Sequence, residues 1–118
     1  MAEPKELALA IAGALDNKKG QDIKVLETGR LTTLADYFVI CTAGSTTQVK
    51  ALSDACEETA KQLGELPHHI EGHRGGVWTL LDFSSVVVHV FMEEARQFYD
   101  LERLWADAVP VELPQTGD

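Results

Sequence analysis

The stretch DYFVICTAGSTTQ, residues 36–48, decides the fold. Its first half reads as a strand that is apolar on both faces. Tyr37, Val39 and Cys41 point one way, and Phe38 and Ile40 point the other. A strand with two apolar faces sits in the middle of a sheet and is covered on both sides. Gly44 breaks the run, and Ser45-Thr46-Thr47-Gln48 follows with the spacing of a capping box, in which side chains satisfy the free N–H groups of a helix start. Val49, Leu52, Cys56, Thr59 and Leu63 then recur at helical spacing, and Gly64 suits the residue after the helix end. Strand, helix and further strands in that order require a crossover, so the sheet is expected to be parallel in part.

Working outward, Pro4 suits the first turn of a helix whose apolar face is Leu7, Ala8, Ile11, Ala12 and Leu15, ending near Asn17–Gly20. Residues 22–28, DIKVLET, alternate as a strand, and Gly29–Arg30 turns the chain. His68–Glu71 reads as a short strand and EGHRGG, residues 71–76, as a loop. Val77–Phe83 and Val86–Phe91 read as a hairpin turning at Ser84–Ser85. From Glu94 the period becomes helical, with Ala95, Phe98, Leu101, Leu104 and Trp105 on one stripe. No proline interrupts residues 5–66 or 68–109. The expectation is one α/β (α+β) domain over residues 1–108, with a mixed sheet of roughly five strands and flanking helices, followed by a flexible tail over 109–118.

Composition narrows the function. A chain of 118 residues suits one domain and can bury about two-thirds of its unfolded surface without a covalent staple. No apolar run approaches the ~20 residues that span a bilayer, and the N-terminal stretch reads as a helix, not a signal peptide. Cys41 and Cys56 read as reduced core thiols, which fits a cytoplasmic protein. A formal net charge of −9 repels phosphate backbones, so independent nucleic-acid binding and anionic membranes are disfavoured and a basic protein partner is favoured.

Several patterns invite a chemical reading. His68, His69 and His73, with Glu71, could be metal ligands, but adjacent histidines on a strand face opposite ways, and solvated loop histidines are the plainer reading. His89, within VVVHV, reads as a core or half-buried histidine sharing a face with Val87 and Phe91. The Gly44-Ser45 turn before a helix could present N–H groups to a phosphate, as in nucleotidyltransferase-like folds. Those enzymes also need paired carboxylates on a neighbouring strand, and here only Asp82 is available; a helix cap explains the turn without chemistry. LPQTG, residues 113–117, matches a sorting signal that needs an apolar segment behind it, and reads as coincidence. No cofactor and no metal is expected.

The C-terminal block carries another signal. Trp78, Tyr99 and Trp105 accompany seven acidic and two basic residues from position 93 onward. Aromatics within an acidic field suit either a core or a surface that anchors a basic partner.

These segments resemble the ribosomal silencing factor (Iojap-like) family. The resemblance is carried by KKGQDIKVLET (18–28), LADYFVICTAGST (34–46), WTLLDF (78–83), VVVHVF (86–91) and EEARQFYDLERLW (93–105). Ser84–Ser85 departs from it, standing where the family usually has Gly-Asp, and HRGG (73–76) is a local variant. The resemblance implies a nucleotidyltransferase-like architecture without that activity. It implies binding to the large ribosomal subunit through ribosomal protein L-fourteen, steric exclusion of the small subunit, repression of translation, and homodimers in the free state. The docking role is carried over to Trp78, Glu94, Tyr99, Leu101, Glu102 and Trp105. Glu94 and Glu102 would meet cations, and Leu101 and Trp105 could equally be core.

Overall fold

A computed structural model of the chain describes residues 3–33, 35–72 and 76–111. His73, the residues of the expected tail from 112 on, LPQTG among them, and the side chain of Leu104 lie outside the described set. The order is α1 (Pro4–Asn17), β1 (Gln21–Glu27), β2 (Tyr37–Ala43), α2 (Thr46–Gln62), β3 (His69–Gly72), β4 (Trp78–Asp82), β5 (Val86–Met92), α3 (Glu93–Tyr99), α4 (Leu101–Leu104) and β6 (Val109–Pro110).

All seven residues of β2 are buried, and β2 lies between β5 and β1. The sheet runs β3-β4-β5-β2-β1-β6, with β2 parallel to β5 and the other neighbours antiparallel. The expected crossover is α2, which carries the chain from β2 past two strand positions to the edge strand β3. The sheet has six strands against the five expected. The sixth is two residues long and pairs with β1, so ordered pairing continues past residue 108. Val111 N–H also donates to the Val25 carbonyl.

Alternation along β2 and β5 splits the core. On one face Val39, Cys41, Val86, Val88 and Val90 pack with Leu7, Ile11 and Leu15 of α1 and Val49, Leu52 and Cys56 of α2. On the other, Phe38, Ile40, Val87 and Phe91 pack with half-buried Trp78, Leu80, Ala95, Leu101 and Trp105. Each fully buried Leu or Ile contributes about 1.5–3 kcal/mol, so the first face, lined by two long helices, supplies most of the burial energy. Both cysteines are free and buried there. Burial pushes the Cys41 thiol up to about 11, and burial raises Cys56 as well, so both stay protonated and inert.

Helix ends follow the sequence signals. Ser45 Oγ accepts from Gln48 N–H at 3.1 Å, starting α2. At its end Gly64 takes φ +81, with Gly64 N–H bonded to Lys61 O and Glu65 N–H to Ala60 O, the paired bonds of a Schellman cap. The same bond pattern ends α1, but Lys19, not Gly20, holds the left-handed position. Gly20 is needed for space instead: a Cβ there would lie 2.5 Å from Cys41 Sγ.

The hairpin between β4 and β5 turns at Ser84–Ser85, as expected, in an unusual way. Ser85 N–H bonds to Phe83 O across Ser84, whose φ is +75, a three-residue turn in its rarer, strained form. Asp82 Oδ1 accepts from Ser84 N–H at 2.8 Å and holds the turn shut. Ser84 carries a Cβ at a positive φ, where glycine alone is free of strain. Replacing it by Gly removes the Cβ strain while keeping the N–H bond. Ser84→Gly is therefore expected to raise unfolding stability by about 1 kcal/mol, read as a higher urea midpoint with unchanged slope.

Candidate functional site

The second sheet face is where the structure leaves material exposed. α3 packs mainly on β5 and β2 and is only seven residues long, and it touches β4 through Tyr99 against Trp78. Trp78 and Leu80 of β4 remain half-buried, and β3 is exposed throughout. Above them the aromatics form a continuous chain. Trp105 meets Phe38 edge-on at 5.1 Å, Phe38 lies 5.5 Å from the His89 ring, and His89 lies 5.8 Å from Trp78. Trp78 stacks on Phe91 at 4.9 Å and touches Tyr99 at 4.4 Å, and Tyr99 meets Phe98 edge-on at 5.1 Å. The chain therefore runs from the buried Phe38 to Phe98 in solvent.

His89 has the role expected of it: it is 5 % exposed and shares its face with Val87 and Phe91. Trp78 Nε1–H donates to its Nδ1 at 3.1 Å, which fixes the indole against the sheet and requires an unprotonated Nδ1.

The terminal helix departs from the sequence expectation. A single helix from Glu94 would put Phe98 in the core with Ala95, Leu101 and Trp105. Instead Phe98 is 81 % exposed. The inward face of α3 is set by Ala95 and the buried Arg96, which turns Phe98 outward, and Asp100, at φ +46 and ψ +52, ends α3 and begins α4 so that Leu101 and Trp105 return to the same core. Tyr99 is 46 % exposed, Leu101 and Trp105 are half-buried against the second core, and Glu94 is exposed. Of the residues singled out for docking, Trp78 and Tyr99 are thus in contact, Leu101 and Trp105 pack on the second core, and Glu94 is exposed at the cleft where β2 and β5 end.

The residue that the periodicity did not reveal is Arg96. It is 8 % exposed, and its guanidinium gathers three elements. Nε donates to Glu102 Oε1 at 2.8 Å, and Nη1 donates to the Asp22 carbonyl at 2.6 Å and to Thr42 Oγ1 at 2.7 Å. Asp22, at φ +47, marks a bulge where the β1–β2 register shifts. A bulge leaves a ladder group unpaired, and Arg96 satisfies it. Nothing in the spacing of Asp22, Thr42, Arg96 and Glu102 announces this meeting. The Arg96 guanidinium hydrogen-bonded to Glu102 holds that carboxyl below the usual carboxylate range.

The other chemical candidates are occupied by structural work. Gly44 N–H, the group that would face a phosphate, donates to Gln48 Oε1, and Gln48 Nε2 donates to the Lys18 and Lys19 carbonyls. This side chain closes the Gly44-Ser45 turn and ties it to the end of α1. A cleft of about 350 Å³ lies at the carboxyl ends of the parallel pair β2 and β5, where α/β folds commonly bind ligands. Glu93 and Glu94 line it, with Met92, Val77 and Ala95, and no described cation does. His69 Nε2 lies 3.3 Å from Glu71 Oε2, both exposed. Among the described residues no three of His, Cys, Asp and Glu converge as a metal would require. Among the same residues no helix is long and apolar enough to cross a membrane.

This architecture has solved counterparts. A crystal structure of a Chromobacterium violaceum protein superimposes with a TM-score of 0.85 at 35% identity, covering 99% of this chain and 94% of that one. The family model described as "Ribosomal silencing factor during starvation" matches residues 1–118. The chain belongs to the ribosomal silencing factor family. Relatives bearing the name ribosomal silencing factor include one from Halalkalibacterium halodurans, 37% identical over 96% of both chains, and one from Bacillus subtilis, 37% identical over 92% of both. The chloroplastic protein Iojap of Zea mays is 38% identical over 96% of this chain and 49% of its own length.

Within this family member, the Arg96–Glu102 pair makes a pH signature. The Glu102 carboxyl is depressed in the folded state, so its contribution to stability is present above the unfolded glutamate value of about 4.3 and lost as pH falls through the lower folded value. Wild type is therefore expected to be more stable than Glu102→Gln at neutral pH, by a margin that stays flat from pH 7 to 5. The margin should shrink below about 4.3, as followed by denaturant midpoints across that range.

Proposed function

We propose that this chain binds the large ribosomal subunit through a basic protein on its intersubunit face, ribosomal protein L-fourteen, and sterically prevents the small subunit from joining. Translation is thereby repressed in the cytoplasm. The observation that carries this reading is the exposed aromatic pair Phe98–Tyr99, seated on Trp78 over an incompletely covered sheet face. Large aromatics left in water at one spot mark an interaction surface, and Trp and Tyr are favoured anchors there. Glu93, Glu94 and Asp100, carried by the same helix and its end, are exposed, which suits a cationic partner surface. Family membership supplies the ribosome as the target. Trp78, Tyr99 and Phe98 provide the apolar contact, Leu101 and Trp105 hold α4 beneath it, and Glu94 and Glu102 meet cations.

The same geometry supports a non-enzymatic reading. Gly44, Gln48 and Asp82 spend their polar groups on a helix start and a hairpin turn. A net charge of −9 argues against independent nucleic-acid binding. In the free state the chain forms homodimers. Saturating nucleotide with magnesium is expected to leave the melting temperature unchanged; a rise would support a nucleotide site at the Gly44-Ser45 turn.

Sedimentation with separated subunits tests the reading. The protein should travel with the large subunit and reduce joined ribosomes when the small subunit is added. Phe98→Ala and Tyr99→Ala should each weaken that binding about tenfold while Phe98→Ala changes stability by less than about 0.5 kcal/mol. Full binding by both variants would move the docking surface elsewhere.

A further inference from the structure

The guanidinium of Arg96 is more than a packing element. A charge that is 8 % exposed costs several kcal/mol to desolvate, and replacing a whole buried ion pair by apolar side chains of similar volume often serves stability as well. What an apolar residue cannot do is fix a carboxylate. Arg96 engages one oxygen of Glu102, Oε1, and among the described residues Oε2 accepts no hydrogen bond. The Glu102 side chain is 39% exposed, so that second oxygen belongs to a carboxylate still open to solvent. Arg96 is itself anchored at two further points, the bulge carbonyl of Asp22 and the hydroxyl of Thr42, both on the sheet. The carboxylate is thereby referenced to the rigid sheet and not only to the four-residue helix α4 that carries it. Arg96 also sits two residues before Phe98 and bridges the left-handed joint at Asp100, spanning α3 to α4.

We propose that Arg96 is a positioning residue for docking: it holds the Glu102 carboxylate aimed, with one oxygen bound inward and the other presented to a cationic side chain of the partner. This rests on the docking reading above. Pre-placing the carboxylate removes the side-chain ordering that association would otherwise have to meet, which is how a buried pair can favour binding without favouring stability.

A double-mutant cycle reads this directly. Wild type, Arg96→Met, Glu102→Gln and the double variant are compared for affinity to purified large ribosomal subunits and for thermal unfolding. Arg96→Met is expected to weaken binding about tenfold in the wild-type background and less than about twofold in the Glu102→Gln background, because its effect passes through Glu102. Arg96→Lys, which keeps the charge but loses the fork, should recover melting temperature more fully than affinity, and it carries the cycle if Arg96→Met fails to fold. Equal losses in both backgrounds would make Arg96 a purely structural residue and overturn the proposal. So would undiminished binding by Glu102→Gln, which leaves the docking reading intact. Failure of the wild-type chain to bind large subunits would overturn the docking reading and this proposal together.

Discussion

The burial of β2 on both faces is the constraint from which the other features follow. Seven consecutive buried residues need cover above and below the sheet. α1 and α2 cover one face along most of its extent, since they are 14 and 17 residues long. Only the two short helices after β5 are available for the other, together with Trp105 and Ala108. Their shortness leaves β4 half-covered and β3 bare, and the aromatic chain from Phe38 to Phe98 fills the graded boundary between core and solvent. The exposed patch is thus the unfinished side of a sheet whose centre had to be closed.

Electrostatics divides the same molecule differently. The parallel pair β2 and β5 ends in a cleft of the kind that binds small ligands in related architectures, but its rim is acidic and its N–H group at Gly44 is already bound by Gln48. Acidic residues on the helix that carries half-exposed aromatics have the opposite sense. They attract a basic surface over a distance set by the ionic strength and leave the apolar contact to decide affinity. The cleft thus keeps the position of a ligand site in such sheets, while its Gly44 N–H group is taken by Gln48 and its lining carries acidic side chains.

Much of this was legible from the chain. The period of two in β2 and β5 assigned nearly every core side chain to its face, because a strand's pleat leaves no freedom in that choice. Ser45, Gly64 and Pro4 marked helix ends through local hydrogen bonding and backbone preference, which need no tertiary context. The terminal helix was different. Its apolar stripe predicted a buried Phe98, but the buried Arg96 sets the inward face of α3 and turns Phe98 outward, and the left-handed Asp100 breaks the helix behind it; neither a buried arginine nor a left-handed aspartate carries an unambiguous signal. Arg96 was missed for a related reason. Its partners come from residues 22, 42 and 102, and only the folded bulge and joint bring them within 2.8 Å. The two-residue β6 is too short to have any periodicity.

The parallel pairing of β2 with β5 has a consequence for how the chain comes into being. β1 with β2 and β4 with β5 are antiparallel neighbours in sequence, so each hairpin closes locally and early. Joining them spans the whole of α2 and β3, a long loop that closes late. The aromatic chain crosses that seam: Phe38 comes from the first hairpin, Trp78 and His89 from the second, and Trp105 from beyond both. A chain emerging from synthesis has no such surface until its last quarter has been made and the two hairpins have met. The aromatic surface is in this sense a late product of folding.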